Sequence, residues 1–221
     1  MSIDDLIKED PEFKELYREK LQAEVRKTKA EANRWEAEAE KSHKDLEAWN
    51  ASADEHRIYN FFGQVDGGNV SAAMDVIGNW CRRSETSEVT IVFNSPGGNI
   101  INGLALYDFL DELKRKGNSV NTVCRGMAAS MGGVLLQAGE KRTIGANGHI
   151  LIHEASSLNI GKTSEMEDSL KFTKMLQTRC LEILASRSSM TTKQIENKWK
   201  KTDWWIGAQE AVDLGFADEI A

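Results

Sequence analysis

The residues best suited to covalent chemistry lie in Ala128-Ala129-Ser130-Met131-Gly132-Gly133. Ser130 follows a β-type run, Val120–Cys124, and an Arg125-Gly126 link, and it opens an apolar helical run. Small residues stand two and one before it and two and three after it. A crowded strand-to-helix elbow that aims a hydroxyl into a cleft needs such neighbours. The helix N-terminus adds free amide N–H groups that favour a developing oxyanion. The chemistry would be acyl transfer. A serine that caps a helix, or lets two helices approach, has the same local sequence, so this segment alone leaves both readings open. Asn94-Ser95-Pro96-Gly97-Gly98 offers a second source of amide donors, because its glycines allow positive φ and close approach of a ligand. An ordinary turn would read the same way.

A serine nucleophile needs a base. Of the four histidines, His43 and His56 belong to a charged segment and His149 opens a strand. His153 ends the apolar run Ile150–Ile152, 23 residues after Ser130, at what should be the same end of a sheet. A buried structural histidine is the commoner meaning of such a residue. The orienting acid is less marked. Asp203 precedes an aromatic strand, where its carboxylate should be partly desolvated beside an imidazole. Glu154, Glu165, Glu167 and Asp168 are chemical rivals. Two other motifs fall short. Gly161-Lys162-Thr163 resembles the end of a phosphate-binding loop, but Ser156 stands where that loop needs glycine. Cys124 ends a β-run without a charged neighbour to activate it.

These side chains need elements to hold them. Alternating apolar positions predict strands at Arg57–Val65, Glu88–Asn94, Ser119–Cys124, Arg142–Ile144, His149–Glu154, Trp204–Ile206 and Ala217–Ile220. Helices are predicted at Asn69–Arg82, Asn99–Lys116, Ala128–Ala138, Ser164–Ser188, Thr191–Lys200 and Ala208–Leu214. Strands alternating with helices imply an α/β domain with a largely parallel sheet. Before it, Pro11 to Asp54 is rich in Ala, Glu, Lys and Arg, and no glycine occurs before Gly63. Leu21, Val25, Thr28, Ala32, Trp35, Ala39, Ser42, Leu46, Trp49 and Ala53 follow alternating steps of four and three, a weak heptad seam. The division expected is a charged helical arm over residues 1–55 and a catalytic domain over 56–221.

Of the 221 residues, 28 are Lys or Arg and 35 are Asp or Glu, a net charge of −7. The arm holds 10 basic and 16 acidic residues, so most of the acidity is its own and the domain is near neutral. A sequence-independent nucleic-acid partner would require a basic excess. No apolar run suffices for a membrane span, and the N-terminus lacks the pattern of a secretory signal. Cys81, Cys124 and Cys180 have no metal spacing and read as free thiols of a reducing compartment, so the expected location is cytoplasmic.

From about Ile58 to Ala221 the chain resembles the Clp-type serine peptidases. Four segments carry the resemblance in order: Asn94–Gly98, Gly126–Gly132, Ile152–Glu154 and Asp203–Gly215. It implies a spiral of β-β-α units shared with crotonases. It also implies Ser130 as nucleophile, His153 as base, Asp203 as orienting acid, and the amides of Gly97 and Met131 as oxyanion hole. No metal or cofactor is implied. A homo-oligomeric ring, a heptamer or a tetradecamer of two rings, would cleave polypeptide substrates. Asn94–Asn99 and Gly215–Glu219 are similar to forms found in phage head-maturation proteases, which implies a capsid or scaffold protein as substrate and the host cytoplasm or procapsid as location. There are departures. Ala155 stands where the housekeeping subunit has proline, residues 157–162 hold one glycine where it has a glycine-rich strand, and a helical arm replaces its short axial loop. These argue against ring stacking and against docking to an unfoldase ATPase. Two other readings share the fold: a crotonase-like acyl-CoA enzyme, and a non-catalytic ring scaffold that works through its arm.

Overall fold

The computed structural model describes residues 11–82, 87–156, 162–200 and 202–221, without the side chains of residues 13 and 42–56. The seam positions Ser42, Leu46, Trp49 and Ala53, the side chains of His43 and His56, and residues 157–161 therefore lie outside the described residues. The chain divides into two compact units, Met1–Glu55 and His56–Ala221.

The first unit is dominated by helix α1 (Pro11–His56). Its sequence has no internal glycine or proline to interrupt it, and Arg34 pairs with Glu38 one turn on at 3.0 Å. Leu21, Val25 and Trp35 are exposed, Trp35 by 72%. An apolar residue this open on a charged helix gives little packing stability to its own unit.

The second unit runs β1 (Ile58–Val65), α2 (Gly67–Arg82), β2 (Glu88–Gly98), α3 (Ile100–Arg115), β3 (Ser119–Ala129), α4 (Met131–Leu136), β4 (Arg142–Ile144), β5 (His149–Ile152), α5 (Thr163–Ser186), α6 (Thr192–Trp199), β6 (Trp204–Gly207), α7 (Ala208–Asp213) and β7 (Glu219–Ile220). One sheet has the order β1-β2-β3-β4-β7, and β5 pairs with both β3 and β6. All pairings are parallel except the antiparallel β5–β6. Strand β3 is forked. Thr122–Cys124 pair with β4, whereas Met127–Ala129 pair with β5. The expected α/β architecture with a mostly parallel sheet is present.

Central strands read as apolar runs because helices cover them. Ile91, Phe93, Val120, Leu106, Leu110, Leu135, Leu136, Ile144 and Ile150 are all buried. Truncating one of the leucines to alanine would cost about 2–5 kcal/mol. Helix α3 starts where Asn99 caps it, its side chain accepting from Asn102 N–H.

Three boundaries next to the predicted site residues differ from the sequence expectation. Ser95–Gly98 is not a turn but the end of β2, extended past a register shift opposite Phe93–Ser95. Ala128 and Ala129 belong to β3, so the helix after the serine starts at Met131 rather than at Ala128. Strand β5 stops at Ile152, leaving His153 and Glu154 beyond the ladder. The alanines and glycines carry weak local preference. Strand pairing therefore decides their conformation.

Candidate active site

Strand register brings the sequence-predicted residues to one end of the sheet. In the parallel β2–β3 pair Ser95 stands opposite Ala128, so Gly97 continues opposite Ser130. In β3–β5 Ala129 stands opposite Leu151, and Ser130 N–H donates to Leu151 O at 2.8 Å. In the antiparallel β5–β6 pair Ile152 stands opposite Trp204. His153 and Asp203 are the next residues across that ladder. Ligands of open α/β sheets collect beyond the carboxyl ends of parallel strands, and three of these four residues sit there.

Ser130 occupies φ 53°, ψ −120°, between the last residue of β3 and the first of α4. Arg57 is the other described non-glycine residue with positive φ. Ser130 is held in this conformation by its bond to Leu151 and by Gly133 N–H donating to Ser130 O at 3.0 Å. The elbow predicted from small neighbours is thus present, and the reason for its two glycines is visible. A Cβ on Gly132 would lie 3.3 Å from Ser95 Cβ and O, and one on Gly133 would lie 3.1 Å from Ala128 O. A Cβ on Gly97 would lie 2.6 Å from both Ala129 O and Ser130 Cβ, and 3.0 Å from Met131 N. Gly97 therefore packs directly against the elbow, at φ 91°, a conformation that suits glycine.

The two amide donors differ. Met131 is the first residue of α4, where an N–H has no acceptor within the helix. Gly97 N–H already donates to the buried Ser95 Oγ at 3.1 Å. The sequence suggested an unbonded donor at Gly97. Extension of β2 through Ser95–Gly98 instead folds the Ser95 hydroxyl back onto it.

Ser130 and His153 line one cleft, whose walls include Ile100, Val134, Ile152, Leu184 and Trp199. His153 and Asp203 line a neighbouring, more open cavity with Glu154, Trp199 and Thr202. His153 and Trp199 border both. His153 is half-buried, whereas Asp203 is exposed, unlike the desolvated carboxylate the sequence suggested. It precedes β6 at the mouth of the open cavity, so water reaches it. Among the rivals, Glu154 shares that cavity, whereas Glu165, Glu167 and Asp168 are exposed on α5 and border neither space.

Sequence reasoning missed several residues of this end of the sheet. Gln177 and Cys180 line the cleft from α5, and Ala155 N–H donates to Gln177 Oε1 at 2.9 Å. Trp199 comes from α6, where Ile195 and Trp199 form the buried stripe. That four-residue spacing was a legible amphipathic signal, but nothing in it pointed to a cleft. Burial pushes the Cys124 and Cys180 thiols up to about 11. Neither is an activated nucleophile. No group of His, Cys, Asp and Glu among the described residues could hold a metal ion. No helix among them is long and apolar enough to cross a membrane.

The model of the Clp protease family matches residues 80–221. The ATP-dependent Clp protease proteolytic subunit 2 of Tropheryma whipplei (strain Twist) is 37% identical over 135 residues, covering 60% of this chain and 73% of that protein. The ATP-dependent Clp protease proteolytic subunit of Streptococcus mutans serotype c (strain ATCC 700610 / UA159) is 34% identical over 142 residues, covering 62% of this chain and 70% of that protein.

Proposed function

This chain belongs to the Clp protease family, and on that premise we propose that Ser130, His153 and Asp203 hydrolyse peptide bonds by acyl transfer. Ser130 Oγ attacks the scissile carbonyl while His153 takes its proton. The carbonyl oxygen becomes an oxyanion, which the Met131 and Gly97 amides stabilise. Gly97 N–H exchanges its bond to Ser95 Oγ for the oxyanion, so the donor is held in place before substrate arrives. His153 then returns the proton to the leaving amine, and water releases the acyl group by the reverse sequence. Asp203 fixes the imidazole tautomer and stabilises its charged form. The apolar cleft receives an apolar side chain beside the scissile bond.

The observation that carries this reading is the place of His153, which borders both the cleft of Ser130 and the cavity of Asp203. Ser130→Ala is expected to fold as the parent does and to lower peptide turnover by about 10³-fold or more. Circular dichroism and hydrolysis of a fluorogenic peptide measure the two. Parental turnover in that variant would remove Ser130 from the mechanism. A fluorophosphonate probe should label Ser130 and fail to label His153→Ala.

Assembly into a ring of copies of this chain is part of the proposal. Its support is the exposure of Ile58 and Phe62 on the edge strand β1 and of Met166, Leu170, Phe172 and Met175 on α5. Maturation of a capsid or scaffold protein is the finer reading, and it rests on the phage-like forms at Asn94–Asn99 and Gly215–Glu219 and on the charged arm. In that reading the arm selects the polypeptide substrate without an unfoldase ATPase. Incubating the chain with its neighbouring capsid and scaffold proteins, with and without ATP and an unfoldase, distinguishes the two supplies of substrate.

A further inference from the structure

Building on the triad reading, we propose that Gln177 is a positioning residue for the base: its side-chain carbonyl holds the backbone two residues past His153 and so sets where the imidazole stands. Strand pairing restrains the chain up to Ile152, the last residue of β5 with a partner. His153 lies one residue beyond that restraint. On its far side the chain is held by Ala155 N–H donating to Gln177 Oε1 at 2.9 Å, a half-buried bond between residues 22 apart.

The acceptor is well placed to act as a fixed post. Gln177 sits on α5 in register with Cys180 and Leu184, three and seven residues on, both of which are buried. Gln177, Ala155, His153 and Ser130 all line the same cleft. The bond therefore spans from a helix anchored in the core to the segment that carries the imidazole. Its donor exists because residue 155 is alanine; proline, which the resembled housekeeping subunit carries there, has no N–H to give. A chain that forgoes the rigidity of proline needs another restraint at this point, and a glutamine carbonyl supplies one.

The test uses the full chain and compares peptide hydrolysis with the rate of fluorophosphonate labelling of Ser130. Gln177→Leu keeps the bulk and removes the acceptor. It should lower kcat and the labelling rate by about tenfold, with KM within about twofold of the parent. Gln177→Glu keeps an acceptor oxygen and should restore kcat to within about twofold. Ala155→Pro removes the donor but brings the ring's own restraint, so introduced into Gln177→Leu it should recover part of the lost kcat rather than deepen the loss. Parental kcat in Gln177→Leu would overturn the proposal. So would a loss confined to KM, which would make Gln177 a substrate contact, or a deeper loss of kcat in the double variant. Failure of the parent to label at Ser130 would instead sink the triad reading, and the inference with it.

Discussion

Ser130 combines the hydroxyl proposed as nucleophile with a backbone conformation that a side chain disfavours. Positive φ at a non-glycine residue costs about 1–3 kcal/mol, and here the bonds to Leu151 and Gly133 and the burial of Met131 offset it. A glycine would remove the strain along with the hydroxyl. Ser130→Gly is therefore expected to be inactive yet more stable than Ser130→Ala by about 1 kcal/mol, read as the difference in denaturant midpoint multiplied by m. The reverse ordering would mean that the elbow is unstrained. Gly97 answers the opposite question. A methyl group there meets Ala129 O, fixed by strand pairing, and Ser130 Cβ, held through the bond of Ser130 N–H to Leu151 O. Gly97→Ala should lose both thermal stability and turnover, and retention of either would mean that the elbow can move aside for the added methyl group. The thiols provide a simpler check. With burial holding Cys124 and Cys180 at about 11, a disulfide reagent at pH 8 should leave both unmodified in the folded protein and reach them after denaturation.

At the level of elements, register does most of the positioning. One residue of slip in β2–β3 would carry Gly97 away from Ser130, and one in β5–β6 would part His153 from Asp203. The strand–helix alternation was legible because apolar periodicity survives in β1, β2, β3 and α3. The elbow at Ser130 was legible because small residues crowd it on both sides at the point where a strand passes into an apolar helix. The ends of β2 and β3 were not, since Pro96, Gly97, Gly98, Ala128 and Ala129 have weak β preference and are extended by their partners. Gln177 left no trace either, because a polar residue on a long charged helix is the ordinary surface pattern. Behind α4 lies a buried polar cluster that periodicity could not show. Arg142 is 6% exposed; its guanidinium donates to Asp218, Gln137 Oε1, Arg187 O and Gly215 O, and Gln137 Nε2 donates to Gly133 O of α4. Burial pushes the Asp218 carboxyl up, but the hydrogen bonds from Arg142 outweigh it and hold it below its ordinary 3.8. The pair's contribution is then complete above that ordinary value and is lost as pH falls through the lower, folded value. Denaturant titrations from pH 5 to pH 2 should show stability falling in this window. The fall should be shallower in Asp218→Asn, and equal slopes in both proteins would remove the pair from the acid limb.

For the whole molecule, the arm and the domain pose separable questions. Residues 1–55 form their own unit, and Leu21, Val25 and Trp35 are exposed on it. Removing residues 1–55 should leave the domain's melting temperature within a few degrees of the parent, because the buried side chains among the described residues reside in His56–Ala221. Peptide turnover should be kept while cleavage of the large polypeptide substrate falls. A rise in peptide turnover would instead make the arm a plug. Native mass spectrometry of both forms would show whether the ring needs the arm, and a chain that stays monomeric while hydrolysing peptides at full rate would refute ring-dependent catalysis.

The fork in β3 has a kinetic consequence. Its first half is tied to β4 and through it to β7, its second half to β5 and β6, and Gly126 at φ 80° stands between them. The wing that bears the imidazole can thus breathe without loosening the chain's last strand, and amide deuterium uptake should show β5–β6 and β4–β7 opening as two independent events.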